Sequence, residues 1–210
     1  LPHQVDFDAG EYLPIDLDLE RSLLSVAPAG AHWSTAADMG RYLLTQLEGG
    51  LAPNGERVVS EENLLVTREP QVPVSATEHY GLGWFVGDYH GLESAHHGGN
   101  TLGFSSEFVF LPQVGLGMTV ITNAQGSNAY NGGVIERMLE LVFEQPGAVE
   151  AGLAFYREQT QRTLEMSEEL IGDSVDPDEV GGFQGGWSNP ALGELQLVLE
   201  GDSLFADAGE

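Results

Sequence analysis

Cysteine and lysine are both absent, and the basic side chains are seven arginines at 21, 41, 57, 68, 137, 157 and 162. Without cysteine there is no disulfide framework and no thiolate for metal binding or nucleophilic attack, and redox compartment is left open. Apolar runs are short. None approaches the ~20 residues that a membrane-spanning helix needs. The opening stretch LPHQVDFDAGE carries acids and no basic segment, so it does not read as a secretory signal peptide. Positive charge is scarce enough to exclude a further class. Thirty-three acids against seven bases leave a formal charge of −26, a field that repels phosphates and rules against nucleic acid as a partner.

What is present is the composition of a folded chain. The 210 residues are 41% hydrophobic and include three tryptophans, enough for one substantial core with a smaller appendage. Two readings of the acidity stay open. One is adaptation to high salt, where carboxylates keep a surface hydrated while counterions screen their repulsion, and the lack of lysine favours it. The other is an ordinary acidic protein.

Along the chain, residues 1–28 read as polar and irregular. STAADMGRYLLTQLEGG then predicts a helix. Thr35 and Asp38 have capping-box spacing, Met39, Leu43, Leu44 and Leu47 recur at helical intervals, and Gly49-Gly50 ends the run. A shorter helix is expected from Ser60. YGLGWFVGDY (80–89), FSSEFVFL (104–111) and GMTVITN (117–123) are β-rich, with PQVG as a hairpin connection between the last two. GGVIERMLELVFEQ (132–145) returns to helix and stops at Pro146-Gly147. The fold class is therefore α+β, an antiparallel sheet with packed helices. Residues 148–180 read as a helical connector, Val149 to Ile171, followed by an acidic linker, DSVDPDEVGG at 173–182. From 181 to 210, two short strands joined at Gly201-Asp202 predict the beginning of a small all-β domain.

Chemistry-bearing residues concentrate in AHHGGNTLGFSS, 95–106. His90, Glu93, His96 and His97 are of the right types for zinc, but their spacing fits neither H-E-x-x-H nor H-x-x-E-H, and no metal is assigned. Asp6, Asp8 and Gly10 echo a calcium loop, with the glycine too early and the closing glutamate missing. GFSSE at 103–107 fails the G-x-S-x-G pattern at its last position, so Ser105 and Ser106 read as solvent-facing strand serines. From the residues alone, 95–106 is a glycine turn leading into a strand, with its histidines on the surface.

Two blocks carry a resemblance. PAGAHWSTAADMGRYLLTQLEGG resembles the P-A-G-G-x-x-S-T-A-x-D-M stretch of the serine β-lactamase-like family, the class C β-lactamase relatives that include esterases and D-aminopeptidases. HHGGNTLGFSSEFVFLPQVGLGMTVITNA is similar to that family's third active-site motif and the hairpin after it. Together they cover about residues 25–145, in the family's order. The resemblance implies the C-terminal part of a β-lactamase/transpeptidase-like domain over 1–147. The tail is similar to the opening of the small β-barrel that some members append.

It also implies roles. His97-Gly98-Gly99 matches the family's K-T-G or H-x-G strand, with His97 in the cationic or hydrogen-bonding position. Gly98 and Gly99 let substrate lie against the strand edge, and the backbone amide of Asn100 is one oxyanion donor. His96 is a spectator; Thr35, Asp38 and Arg41 are structural. The family's S-x-x-K is impossible in a chain without lysine, and no Y-x-N occurs. Those elements are expected upstream, so the chain is expected to be a piece of a serine hydrolase, incomplete at both ends and inactive alone. The activity implied is acyl-enzyme hydrolysis of a small ester, amide or lactam, with no cofactor and with the missing N-terminal part as partner. The alternative is a non-catalytic ligand- or peptidoglycan-binding protein on the same fold. The resemblance is compatible with a periplasmic or secreted location.

Overall fold

A computed structural model of the chain describes residues 1–6, 11–170, 180–190, 193–201 and 203–207, in two compact units, Leu1–Tyr156 and Arg157–Glu210. The first is built on a six-stranded antiparallel sheet: β3 (Val72–Pro73), β4 (His79–Tyr80), β5 (Phe85–Tyr89), β6 (Leu92–Thr101), β7 (Phe104–Leu111) and β8 (Leu116–Thr122), side by side in sequence order. Before it come a hairpin of β1 (His3–Asp6) and β2 (Glu11–Pro14), a 3-10 segment Leu17–Val26 and the single turn α1 (Ala27–Gly30). The described residues of 1–28 are thus structured, unlike the irregular segment their polarity suggests. The hairpin is tied to the sheet rather than to a local apolar pattern: His3 N donates to Gly103 O, and Gln125 N donates to His3 O.

Turn chemistry sets the register. His90 and Gly91 both adopt positive φ, 50° and 89°, the requirement of a two-residue turn whose twist matches the strands it joins. Leu102-Gly103 closes the next hairpin, where a Cβ on Gly103 would fall 2.4 Å from Pro2. The Pro112–Val114 turn ends on Gly115 at φ 63° and joins β7 to β8 as a hairpin, as PQVG predicts.

Each face of the sheet carries its own core. On one face α2 (Ala36–Leu47) brings Leu43 against Trp84, Ala95 and Phe110. On the other α4 (Asn128–Val142) brings Ile135 and Leu139 against Val109 and Leu111. Phe110 and Leu111, neighbours on β7, point to opposite faces and are 0% and 1% exposed. Each such side chain contributes about 2–3 kcal/mol on burial.

The helix signals hold. Thr35 Oγ1 accepts the Asp38 amide at 3.2 Å and opens α2, while Asp38 pairs with exposed Arg41. Ser60 accepts the Asn63 amide and opens α3 (Glu61–Val66). The helix that follows the sheet starts at Asn128, ahead of Gly132. On α4, buried Glu140 accepts the amides of Ala148 and Val149 and an Arg137 N–H, so its carboxylate caps α5 (Val149–Leu170). These bonds, foremost that from Ala148, hold it below the usual carboxylate range.

Two strand expectations needed revision in number. YGLGWFVGDY is two strands, because Gly81 N donates to Trp84 O and turns the chain between β4 and β5. Among its described residues the second unit holds three strands where two were expected: β9 (Gly185–Asn189), β10 (Gly193–Glu200) and β11 (Ser203–Asp207), with β10 in the middle. Residues 173–179 of the acidic linker, Ile171 of the helical connector, Asp8 and Gly10 of the calcium-like stretch, and Asp202 lie outside the described residues.

Candidate active site

The segment read from its residues as a glycine turn is the second half of a ten-residue strand, β6. Glycine pairs disfavour strands when isolated. Here Gly98 and Gly99 are held in the ladder by Glu107 and Ser106 of β7. The strand has two unequal halves. Residues 92–96 pair with β5 on one side, and residues 95–101 pair with β7 on the other. Tyr89 and Leu92 close one two-residue hairpin, and Thr101 and Phe104 close the next. Counting in twos from both, the N–H groups of even-numbered β6 residues face β5 and those of odd-numbered residues face β7. Pairing with β5 ends at His96–Phe85. The N–H groups of Gly98 and Asn100 therefore face a side where the ladder has stopped.

The adjacent histidines part company here, because successive side chains on a strand point to opposite faces. His97 Nδ1 lies 2.7 Å from Gly98 O, and Nε2 lies 3.0 Å from the Tyr80 hydroxyl. A carbonyl only accepts, so in the neutral ring Nδ1 carries the proton and Tyr80 donates to Nε2. Both ring nitrogens are engaged, and Phe85 packs 5.5 Å from the imidazole centre. Sequence reading missed Tyr80. It stands in YGLGW, where apolar periodicity signalled only a strand.

His96 faces the α4 side. Its Nε2 lies 2.8 Å from Glu78 Oε1, and its Nδ1 is 4.0 Å from Glu107 Oε1. It is a bridge between two carboxylates, a placement that its reading as a spectator did not include. A cleft of about 280 Å³ on that face is lined by Glu78, Tyr89, His96, Glu107 and Glu136 among others. Burial raises the Glu107 carboxyl above the usual range, with His96, Asn128 and His97 acting against that rise. Tyr89, donating to Glu136, is pushed up to about 12, chiefly by burial. Among the described residues no group of three or more His, Asp or Glu is placed to hold a metal ion.

The two glycines differ. A Cβ at Gly98 would lie 2.3 Å from Glu107 Oε2, whereas one at Gly99 would meet only Ser106 Oγ, at 3.9 Å. Gly98 is thus covered by a carboxylate on its own face, and Gly99 is open. Asn100 is exposed, but its side chain is fully used. Nδ2 donates to Asn128 Oδ1, and Oδ1 accepts from Gly126 N at 3.1 Å. Ser105 does not face solvent as expected. It is 2% exposed, because β7 turns it under the 124–127 loop, where its hydroxyl meets Asn100 Oδ1 and Ala124 O and accepts the Ser127 amide.

Known proteins resemble this chain. A family profile described as "Beta-lactamase" matches residues 2–143. An unguisins hydrolase of Aspergillus campestris is 29% identical over 125 residues, 58% of this chain and 22% of its own length. Penicillin-binding protein 4 of Amycolatopsis lactamdurans is 30% identical over 104 residues, 47% of this chain and 27% of its own. The solved structure of an octameric penicillin-binding protein homologue from Pyrococcus abyssi superposes with a TM-score of 0.53 at 17% identity, across 98% of this chain and 40% of that one. The chain thus spans about a quarter of the length of the curated relatives it matches.

Proposed function

The chain belongs to the beta-lactamase family, and on that footing we propose that β6 is the substrate-binding strand of a serine hydrolase working through an acyl-enzyme. An ester, amide or lactam lies along the open side of residues 97–101. The amide of Asn100 is one oxyanion donor, and open Gly99 leaves room for the acyl group. His97, held by Tyr80 and the Gly98 carbonyl, is an orienting group, not the free base that attack on a carbonyl needs. With no lysine in the chain, the nucleophilic serine, its lysine and a tyrosine come from outside it.

The observation that carries this reading is the halted ladder: β6 runs on past its β5 partner and turns two N–H groups to a side with no paired strand. Fluorophosphonate labelling tests it. The full-length protein should be labelled once, at a serine outside these 210 residues, and the 210-residue chain not at all. Labelling of the chain alone at one serine, or no labelling of the full-length protein together with retained ligand binding, would replace the hydrolase with another reading. The second outcome would favour a binding protein on the same fold.

The identity of the residue at the K-T-G or H-x-G position, here His97, bears on substrate. Both ring nitrogens of His97 are engaged, by Tyr80 and the Gly98 carbonyl, which leaves the ring little to offer a substrate carboxylate. Uncharged esters or amides are therefore the better substrates, and anionic lactams the poorer.

A further inference from the structure

The cleft on the α4 face of the sheet has no part in the reading of β6 as a substrate strand, and its lining is unbalanced. Glu78, Asp88, Glu107 and Glu136 bring four carboxylates to it, against one imidazole, His96, and no arginine. His96 is shared between two of them, 2.8 Å from Glu78 Oε1 and 4.0 Å from Glu107 Oε1. Burial holds the Glu107 carboxyl above its usual range, the behaviour of an acid short of a cation. The floor is apolar, with Val109, Ile135 and Leu139 all buried there.

Carboxylates alone do not make a site, least of all in a chain of this charge. Two further features point to a ligand. Ser94 lines the cleft, is 8% exposed, and lies on the same face of β6 as His96, two residues on. Among the described residues its hydroxyl has no hydrogen-bond partner, an unfavourable state for a buried polar group. The second feature is Gly132, in the second turn of α4. Glycine weakens a helix interior. At Gly133 packing accounts for it, because a Cβ there would stand 3.1 Å from Leu153. At Gly132, which lines the cleft, a Cβ would meet nothing within 4 Å, so the missing side chain leaves room.

We propose that this cleft binds a small organic cation, an ammonium or guanidinium on a short apolar stem. Its N–H groups bond to Glu107, Glu136 and Ser94, and the stem lies on Val109, Ile135 and Leu139. Size agrees. At about 280 Å³ the cleft falls just below the roughly 300–1,000 Å³ of pockets that take drug-sized ligands. A bare metal ion fits less well. It needs ligands converging on one point, and among the described residues no group of three or more His, Asp or Glu is placed to do so. Separated N–H donors can instead reach separated carboxylates. The inference does not depend on the hydrolase reading.

The probes are butylguanidinium, butylammonium and uncharged butylurea, titrated into the full-length protein by isothermal calorimetry at constant ionic strength. The two cations should bind at least about tenfold more tightly than butylurea. Glu107→Gln and Glu136→Gln should each weaken them by about tenfold, and Ser94→Ala by about fivefold. Gly132→Leu fills the open space and should abolish binding while the melting temperature holds or rises. Glu56→Gln, at an exposed position outside the cleft, should change nothing.

No binding of either cation, or equal binding of butylurea, would overturn the proposal. So would wild-type affinity in Gly132→Leu, which would leave only the attraction of a chain of formal charge −26 for any cation. A loss in Glu56→Gln as large as that in Glu107→Gln would do the same. Tighter binding of magnesium or calcium than of butylguanidinium would replace the organic cation with a metal. If Gly132→Leu fails to fold, Ser94→Ala and Glu136→Gln decide, and unchanged affinity in both overturns the site.

Discussion

The two halves of β6 are made of one strand and behave as two objects. Residues 92–96 all pair with β5, Ala95 and His96 pair with β7 as well, and Ser94 and Ala95 are buried. Residues 97–101 have one partner, two glycines and an exposed asparagine. The first half is held by β5 along its length, by β7 at Ala95 and His96, and by Gln113, whose side chain accepts the Glu93 amide. The second half, paired on one side only, is held by side chains reaching it from β4, β7 and α4. A strand that outruns its neighbour keeps its direction but frees every second N–H, and those N–H groups can serve a ligand.

Proline separates the halves most sharply. Ser94→Pro removes an N–H that faces β5 and leaves the part-buried Gly87 carbonyl without its donor, which should cost at least about 3 kcal/mol and abolish cooperative unfolding near room temperature. Asn100→Pro removes an N–H that faces the open side, so no ladder bond is lost. It should lower kcat for a neutral ester by about 10²- to 10³-fold, with Asn100→Ala retaining more activity because its amide survives. Thermal melts and ester kinetics on the two variants check this. A stable Ser94→Pro or an active Asn100→Pro would erase the distinction.

The histidines at the junction should differ next. His97→Lys should raise the ratio of kcat/KM for a cephalosporin to that for a neutral ester by about tenfold, since a charge-assisted bond to a carboxylate is roughly twice as strong as a neutral one. His96→Gln, on the other face, should leave that ratio alone. Competition kinetics with the two substrates gives the answer directly.

Salt should act on the whole chain and spare the contrast. With a formal charge of −26, molar potassium chloride should raise the melting temperature by several degrees over dilute buffer. Amides of Gly98 and Asn100 should still exchange faster than those of Ser94 and His96. Equal melting temperatures in both buffers would reject salt adaptation as the origin of the acidity.

The smallest effects belong to two glutamates of opposite sign. Glu107 is raised by burial, so the folded state binds its proton more tightly than the unfolded one. Its stabilising effect is full below the unfolded carboxylate range and is lost as pH rises through the folded value. Glu107→Gln should therefore melt slightly higher than wild type at pH 7, the gain vanishing in acid. Glu140 is lowered, first by the Ala148 amide, so its contribution is present above the usual carboxylate range and lost as pH falls through the folded value. Glu140→Gln should melt several degrees lower at pH 7 and converge with wild type toward pH 3. Melting temperatures of the three proteins at four pH values suffice.

What the sequence by itself determined is local. Thr35 and Ser60 open helices because a hydroxyl two or three residues before a free amide can reach it whatever lies beyond. FSSEFVFL, GMTVITN and the PQVG turn read correctly because period-two alternation and turn residues act over a few positions. The resemblance singled out His97, Gly98, Gly99 and Asn100 as motif positions. Only the tertiary structure decided what surrounds them. Glycines that read as a turn became strand because β7 supplies the ladder. Tyr80 met His97 across 17 positions and Asn100 met Asn128 across 28, distances at which no pattern of hydrophobic period carries information. The open side of β6 is likewise a property of where β5 begins, at Phe85, and not of any residue in β6. Hydrogen-bond partners contributed by another strand are invisible to a local reading, because backbone groups are alike at every residue except proline and only the register decides which are used.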